Sequence, residues 1–271
     1  MSLRAFMAAG ENTVTRERMF FNRLYYDLKL AAARCGYPLM IFEPEVDRDS
    51  YDIVVDDGDQ ERRFQLKTVL HDAGTSSWKV TKRLLRPGLA YCDALRIAPA
   101  DSGFGGGILL IEIDVNSNEP SVRYAFTDYF ILCGLQMRLW LEAARSGPRV
   151  GRPPKKREVF AANALEELAR GLPREEIALE RQLFVNLKST DALLALLGFH
   201  STADCYLPAN GIMQAISQKF SADEGGKPTQ GLELESIRLA EHHAKEILEL
   251  LEEPELQTFD APPQKNGESG S

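Results

Sequence analysis

The sequence predicts a mixed α/β protein in which strands dominate the first half and helices the second. Apolar residues recur at helical spacing across residues 13–35, as in an amphipathic helix. Residues 51–57 and 62–69 are two β-type runs separated by Gly58-Asp59, which is the pattern of a hairpin. Residues 159–253 again show mainly helical periodicity.

Further elements follow from local signals along the chain. Asp128 is a suitable N-cap for a helix that closes at Gly147, since its carboxylate can accept from the first free N–H groups. The glycine-rich run 102–107 has no helix after it and lacks the lysine of a phosphate-binding loop, so it is interpreted as a turn. Additional strands are expected at residues 38–42, 78–85, 94–98, 108–115 and 122–126.

Changes in composition divide the chain into four parts. Residues 1–147 are expected to form the α/β domain, and residues 148–158, rich in proline and basic side chains, a linker. Residues 159–253 are expected to form a helical domain. Residues 254–271 are polar and rich in Pro, Gly and Ser, which predicts a disordered tail. A chain of 271 residues is long enough for two domains.

The composition excludes several classes of protein. Hydrophobic residues make up 44% and charged residues 27%, as in an ordinary globular protein. No apolar run reaches the roughly 18–20 residues that a membrane span needs, and the first residues lack the core of a signal peptide. The four cysteines are far apart and form no CxxC pair, so reduced thiols are expected. We therefore expect a cytoplasmic protein with no membrane partner.

The charge is unevenly distributed, and its distribution favours a nucleic-acid partner more than the net charge of −8 does. Residues 1–160 carry 23 Lys and Arg against 21 Asp and Glu, whereas residues 161–271 carry 9 against 19. Local basic patches matter more to a polyanion than the total charge. The predicted DNA-binding residues are Lys79, Lys82, Arg83, Arg152, Lys155, Lys156 and Arg157.

The linker part of this basic set has two interpretations. Its Gly151-Arg152-Pro153 resembles the core of an AT-hook, which inserts an arginine into the narrow minor groove of A·T-rich DNA. The alternative is a plain basic linker that contacts phosphates without reading sequence.

The hairpin carries the candidate chemistry. With a turn of two or four residues, Asp52 faces Gln65 or Lys67 across the strand pair, whereas a three-residue turn with a bulge would break this pairing. A carboxylate, an amide oxygen and an ammonium then lie together. Asp52 and Gln65 offer oxygen ligands to Mg²⁺ or Mn²⁺, and Lys67 suits the activation of water and the neutralisation of phosphate charge.

Glu17 is a further candidate because it lies on the predicted apolar stripe of the helix 13–35, in line with Phe21 and Leu24. If that helix packs beside the hairpin, Glu17 adds a second carboxylate to the catalytic and metal-binding set. The alternative is a first-turn glutamate that is favoured only by the helix dipole.

The run Tyr51-Asp52-Ile53-Val54-Val55, a turn, and Phe64-Gln65-Leu66-Lys67-Thr68 resembles the PD-(D/E)XK nuclease superfamily in its QxK variant. The resemblance covers roughly residues 12–130. It implies a restriction-endonuclease-like αβββαβ core in residues 1–147 and Mg²⁺-dependent or Mn²⁺-dependent endonuclease cleavage of DNA. Ser50-Tyr51 stands where the family name has proline, and Gln65 stands where it has an acid.

Two other functions remain open at the level of sequence. The replacement of the acid by Gln65 is compatible with a DNA-binding module that has lost cleavage. The acidic, helical second half is compatible with a protein–protein adaptor. Apolar residues between Ile237 and Leu251 recur at helical spacing, which favours either a small bundle or a homodimer through the C-terminal helices.

Overall fold

The computed structural model of the chain describes residues 3–45, 50–116, 120–138, 156–199, 208–210 and 242–252. The helices are α1 (Leu3–Ala8), α2 (Thr13–Arg34), α3 (Lys82–Leu85), α4 (Cys92–Leu95), α5 (Tyr129–Met137), α6 (Lys156–Ala169) and α7 (Thr190–Leu197). The strands are β1 (Met40–Phe42), β2 (Ile53–Asp56), β3 (Glu61–Leu70), β4 (Ser77–Thr81), β5 (Gly107–Asp114), β6 (Ser121–Asp128), β7 (Glu176–Glu180) and β8 (Val185–Asn186). Residues 242–250 are also helical. The predicted mixed α/β class is confirmed.

A six-stranded sheet in the order β1-β2-β3-β5-β6-β8 forms the centre of the molecule. Strands β3 and β5 are parallel, and the other neighbours are antiparallel. The central strand β5 buries Ile108 to Ile111 without interruption, as expected for a strand that is covered on both faces. The rings of Phe64 and Phe126 meet edge to face at 6.1 Å between centroids, which closes the core across β3 and β6.

Helix α2 supplies one wall of this core through Phe20, Leu24 and Leu28. It ends where predicted, because Gly36 adopts a φ of +82°, a left-handed conformation that favours glycine. The hydroxyl of Tyr124 on β6 donates to Asp27 Oδ2 on α2 at 2.7 Å. Burial and this hydrogen bond both raise the pKa of Tyr124.

A second, two-stranded sheet pairs β4 with β7, with Val80 opposite Ile177. The prediction that residues 174–187 are helical is therefore wrong. Along β7, buried Ile177 and Leu179 alternate with exposed Glu176 and Ala178, which is the two-residue period of a strand. Strands β7 and β8 pair with β4 and β6, so the described residues on both sides of the predicted linker share their sheets and one apolar core.

Three other local expectations need correction. Residues 94–98 do not form a strand, since α4 ends at Leu95 and Arg96 adopts a left-handed φ of 55°. The strand expected at 78–85 stops at Thr81, where α3 follows. Asp128 does cap a helix, with Oδ1 accepting from the amide of Ile131 at 2.8 Å. That helix, α5, ends at Met137, well before Gly147.

Much of the predicted linker and all of the predicted tail lie outside the described residues. Within the linker, residues 148–155 are not described, whereas Lys156 and Arg157 open helix α6. The tail, residues 254–271, is likewise not described. Among the helices that the structure does describe, none has the length and apolar character needed to cross a membrane.

Candidate functional site

The hairpin has the pairing that the sequence argument required. Ile53 lies opposite Phe64 and Val54 opposite Arg63, so even positions of β2 pair with odd positions of β3. The amide of Asp57 donates to the carbonyl of Gln60 at 3.2 Å and closes the turn. Gly58 in that turn has a φ of +93°. The turn therefore has an even number of residues, which is the condition on which the expected pairing of Asp52 depended.

Asp52 lies directly before β2 and is exposed. Its backbone amide donates to the carbonyl of Phe64 at 2.8 Å. Its side-chain Oδ2 accepts from the backbone amide of Leu66 at 2.6 Å. This bond fixes the Asp52 carboxylate against the β3 backbone at Leu66, the residue between Gln65 and Lys67.

Gln65 carries the least satisfied polar atom of this group. Its Oε1 is buried and has no hydrogen-bond partner within the described ranges. On β3, Gln65 lies opposite the fully buried Ile108 of the parallel strand β5. A buried acceptor without a partner is unfavourable and therefore requires an explanation. One explanation is that this oxygen binds a cation or an ordered water.

Lys67 shares the strand face of Gln65, two positions further along β3. Its side chain is half-buried. Across the described ranges it forms no hydrogen bond or ion pair with another residue. An ammonium that is not held by an internal carboxylate remains available to a bound phosphate.

Glu17 is not brought into this group. It is exposed, while Phe20 takes the buried position on that part of α2. Glu17 makes no hydrogen bond or ion pair within the part of the chain that is described. The buried face of α2 runs through Phe20, Leu24 and Leu28, so its stripe is displaced from the one predicted through Glu17. Its position gives no support to the predicted role as a catalytic or metal-binding residue.

The described segments also contain no group of three or more His, Cys, Asp or Glu side chains placed to hold a metal ion. Any cation site at the hairpin therefore relies on Asp52, on the amide oxygen of Gln65, and on ligands from substrate or solvent.

An arginine–aromatic stack, which we define as Tyr51, Arg63, Arg83 and Phe104, lies next to the hairpin residues. The guanidinium carbon of Arg63 is 4.9 Å from the centroid of Phe104 and 5.6 Å from that of Tyr51. The guanidinium carbon of Arg83 lies 4.4 Å from the centroid of Phe104. Tyr51 and Phe104 meet edge to face at 5.9 Å. Arg83 was among the predicted DNA-binding residues, whereas Tyr51, Arg63 and Phe104 were not.

The glycine-rich run is the support for Phe104. The backbone amides of residues 103–106 donate to carbonyls of residues 83–87 at 2.8–2.9 Å. A Cβ on Gly103 would lie 2.3 Å from the carbonyl oxygen of Arg83, and one on Gly106 would lie 2.6 Å from that of Arg63. These amides are fully used within the fold, so the run is not a phosphate-binding loop, in agreement with its interpretation as a turn.

Two predicted DNA-binding residues serve the fold instead. Lys82 is buried, with Nζ donating to the carbonyl of Arg170 at 3.0 Å and pairing with Glu175 Oε2 at 3.1 Å. Arg157 donates from Nε to the carbonyl of Gln182 at 2.7 Å and from a terminal nitrogen to that of Phe184 at 2.9 Å. The predicted DNA contacts of Lys82 and Arg157 are therefore corrected to structural roles.

The other predicted DNA-binding residues fall into two sets. Lys79 and Arg83 are exposed, on β4 and α3. Arg152 and Lys155 lie outside the described residues, as does the side chain of Lys156.

Glu112 is a polar residue on β5 that sequence reasoning missed. Its two carboxylate oxygens bind His71 and Arg181, which tie β5 to the segment after β7. Burial opposes ionisation of Glu112, but the hydrogen bonds from His71 and Arg181 outweigh it and lower the pKa of the carboxyl. The signal in the sequence was one of two acids, Glu112 and Asp114, within the apolar run 108–115.

A groove of about 260 Å³ lies between α2, β6 and the start of α7. Its lining includes Arg23 and Arg34, but these pair with Asp27 at 2.8 Å and Asp191 at 3.8 Å. Because these arginines already form ion pairs with acids that line the groove, the groove is a weaker candidate for the functional site than the hairpin.

Comparisons of the chain with protein-family models, with curated proteins and with solved structures give no match.

Proposed function

We propose that this chain is a metal-dependent deoxyribonuclease of the PD-(D/E)XK type in its QxK variant, acting as an endonuclease. The observation that carries the proposal is the hydrogen bond from the Leu66 amide to Asp52 Oδ2 at 2.6 Å. It holds the Asp52 carboxylate against the β3 backbone at Leu66, the residue between Gln65 and Lys67. A carboxylate, an amide oxygen and an ammonium at neighbouring positions of one strand pair suit phosphodiester hydrolysis.

The order of elements supports the same proposal. Helix α2 precedes the antiparallel strands β1, β2 and β3, and a crossover containing β4, α3 and α4 leads to β5, parallel to β3. With β4 set aside as a strand of the second sheet, this order is compatible with the αβββαβ core that the resemblance implies.

The donor set fits a hard divalent cation such as Mg²⁺ or Mn²⁺, because Asp52 and Gln65 supply oxygen atoms. The buried Oε1 of Gln65 without a partner is the structural reason to include it. When bound, the cation would supply Lewis-acid stabilisation to the reacting phosphate. Asp52 holds its position through the β3 backbone, and Lys67 donates to a phosphate oxygen as negative charge develops there.

A DNA-binding module without cleavage is the second candidate. It is favoured by the small number of acids at the site, since the described residues group no three His, Cys, Asp or Glu side chains around a metal position. The two candidates differ in one result, which is whether DNA bound by the wild-type protein is cut when Mg²⁺ or Mn²⁺ is present.

The experiment that tests the proposal is nicking of a supercoiled plasmid with Mg²⁺ or Mn²⁺ by wild type, Asp52→Asn and Lys67→Met. Asp56→Asn is the matched control for Asp52→Asn. Asp56 also accepts a backbone amide, that of Gly58 at 2.7 Å, so both substitutions remove one charge and keep an acceptor oxygen.

We expect nicking by wild type and Asp56→Asn, and a loss of about 100-fold or more in Asp52→Asn and Lys67→Met. Metal-dependent nicking that survives both site substitutions would contradict the assignment of residues. DNA binding by wild type without any nicking would support the binding module instead.

A further inference from the structure

The arginine–aromatic stack is placed beside the proposed site by the register of two strands. Arg63 lies two positions before Gln65 on β3, on the same face and roughly 7 Å away along the strand. Tyr51 is the residue before Asp52. The stack therefore adjoins the proposed site through Arg63 on β3 and through Tyr51 before β2.

The backbone around the stack is tightly constrained. Phe104 donates its amide to the carbonyl of Arg83 at 2.8 Å. Gly103 and Gly106 approach the carbonyls of Arg83 and Arg63 so closely that a Cβ would meet them at 2.3 and 2.6 Å. The loop that carries Phe104 is thus packed against the backbone of both arginines, and the stack is organised before any ligand binds.

The chemistry of the stack selects a phosphate in preference to a base. Both guanidinium groups lie over the ring of Phe104, which leaves less of that ring for a base to stack on. The N–H edges of a stacked guanidinium still fit a phosphate in a bidentate manner. Arg63 also donates through one terminal nitrogen to Glu61 Oε1 at 2.9 Å, so a phosphate would bind through its other N–H groups.

We propose that Arg63 and Arg83, held on Phe104, bind the DNA phosphodiester backbone next to the phosphate that is cleaved, without reading bases. This inference rests on the proposed function for the identity of the polyanion. It replaces the basic cluster predicted around residues 79–83 with a specific pair, because Lys82 is buried and engaged internally.

The test is binding of a fluorescent 20-base-pair duplex, followed by anisotropy in EDTA over a range of KCl concentrations. EDTA removes cleavage, so binding is measured independently of catalysis. Variants are Arg63→Gln, Arg83→Gln and Phe104→Leu, with Arg123→Gln as a control. Arg123 is an exposed arginine on β6 that does not belong to the stack. Thermal unfolding of each variant, together with the charge-conserving Arg83→Lys, separates lost contacts from lost folding.

We expect each arginine-to-glutamine variant to bind about 5–20-fold more weakly and to lower the salt slope of log Kd by about 1, for any duplex sequence. Phe104→Leu keeps both charges, so it weakens binding with the slope unchanged, and Arg83→Lys loses the planar fork and gives an intermediate loss. Arg123→Gln binds like wild type.

Folded Arg63→Gln and Arg83→Gln proteins that bind DNA as tightly as Arg123→Gln would overturn the inference, as would a wild type that binds no DNA. Normal nicking with unchanged DNA binding in these variants would agree with the nuclease proposal and contradict the DNA-binding role of the stack. The expected binding pattern without nicking would support the stack and contradict the nuclease.

Discussion

Gln65 is the residue at which the proposed site is expected to cost stability. Its buried Oε1 has no hydrogen-bond partner among the described residues, and an unsatisfied buried acceptor costs roughly 1–3 kcal/mol. We therefore expect Gln65→Leu, measured by urea unfolding in EDTA, to raise the free energy of unfolding by about 1 kcal/mol. If the variant is clearly less stable than wild type, the Gln65 amide makes favourable contacts in the folded protein and is not an unsatisfied acceptor.

Glu112 gives a prediction on pH. Its carboxyl has a lowered pKa in the folded protein because His71 and Arg181 bind it. Its stabilising contribution is therefore complete above the ordinary carboxyl pKa and is lost as pH falls through the lowered one. We expect Glu112→Gln to be about 1 kcal/mol less stable than wild type at pH 7. In urea unfolding the difference should narrow as the pH falls below the ordinary carboxyl pKa. A difference that stays constant from pH 7 to pH 3 would contradict this.

For single residues, the sequence predicts which residues lie opposite each other in a strand pair better than it predicts which polar atoms form hydrogen bonds. The alternation of side chains along two strands was enough to put Asp52 opposite Gln65 or Lys67. That Oδ2 would accept from the Leu66 amide depends on Asp52 lying just outside β2, which alternation does not show. Neither Glu112 nor Phe104 could be assigned a role, because their partners lie far away along the chain.

Among the elements, α3 is short but anchors a longer helix. Arg86, which follows α3, donates from Nε to the carbonyl of Leu168 at 2.9 Å and from a terminal nitrogen to those of Arg170 and Gly171 at 3.1 and 2.9 Å. Lys82 also binds Arg170. These cations satisfy the free carbonyls at the C-terminus of α6 and complement its dipole.

We expect Arg86→Met to lower the free energy of unfolding by about 3 kcal/mol, because several buried carbonyls lose a charged donor. Arg174→Met, at an exposed position five residues after the end of α6, is the control. It should change stability by no more than about 0.5 kcal/mol. Equal effects of the two substitutions in urea unfolding would contradict the capping role of Arg86.

The elements that were predicted wrongly share a physical cause. Strand β7 spans only five residues, too few for two-residue and helical periods to be separated in a charged sequence. Its conformation is decided by pairing with β4, almost 100 residues earlier. In contrast, α2 and β5 have long apolar patterns of their own, and both were predicted close to their observed bounds.

For the molecule as a whole, the C-terminal segment closes the large sheet. Leu251 forms a bridge with Leu187, and the amide of Glu252 donates to the carbonyl of Asn186 at 2.8 Å. Ala244 and Ile247 are fully buried in the same core as the sheet. The described part of this apolar face is thus covered by the chain itself, which removes the basis for the predicted homodimer through these residues.

We expect Ile247→Ala to lower the free energy of unfolding by about 2–4 kcal/mol, as for other fully buried aliphatic residues. Glu249→Ala, two residues away and exposed, should be nearly neutral. A single cooperative transition, seen alike by fluorescence and circular dichroism, is expected for both. Early melting of a separate C-terminal unit would contradict the shared core.

The packing of residues 242–252 against the large sheet could not be predicted from the sequence. The apolar stripe near Ala244 and Ile247 was visible as a pattern, but a pattern does not say what covers it. Contacts between residues about 60 apart, such as Leu187 with Leu251, follow from the complete topology and from no local signal.

The central claim is that Asp52 and Gln65 form a cation site, and calorimetric titration with Mn²⁺ tests it most directly because it needs no knowledge of the DNA target. Wild type and the matched control Asp56→Asn are predicted to bind one Mn²⁺ with similar affinity. Asp52→Asn and Gln65→Leu are predicted to bind at least about 10-fold more weakly, since each loses an oxygen ligand or its charge. Equal affinity in all four proteins, or no binding by wild type at millimolar Mn²⁺, would contradict the account.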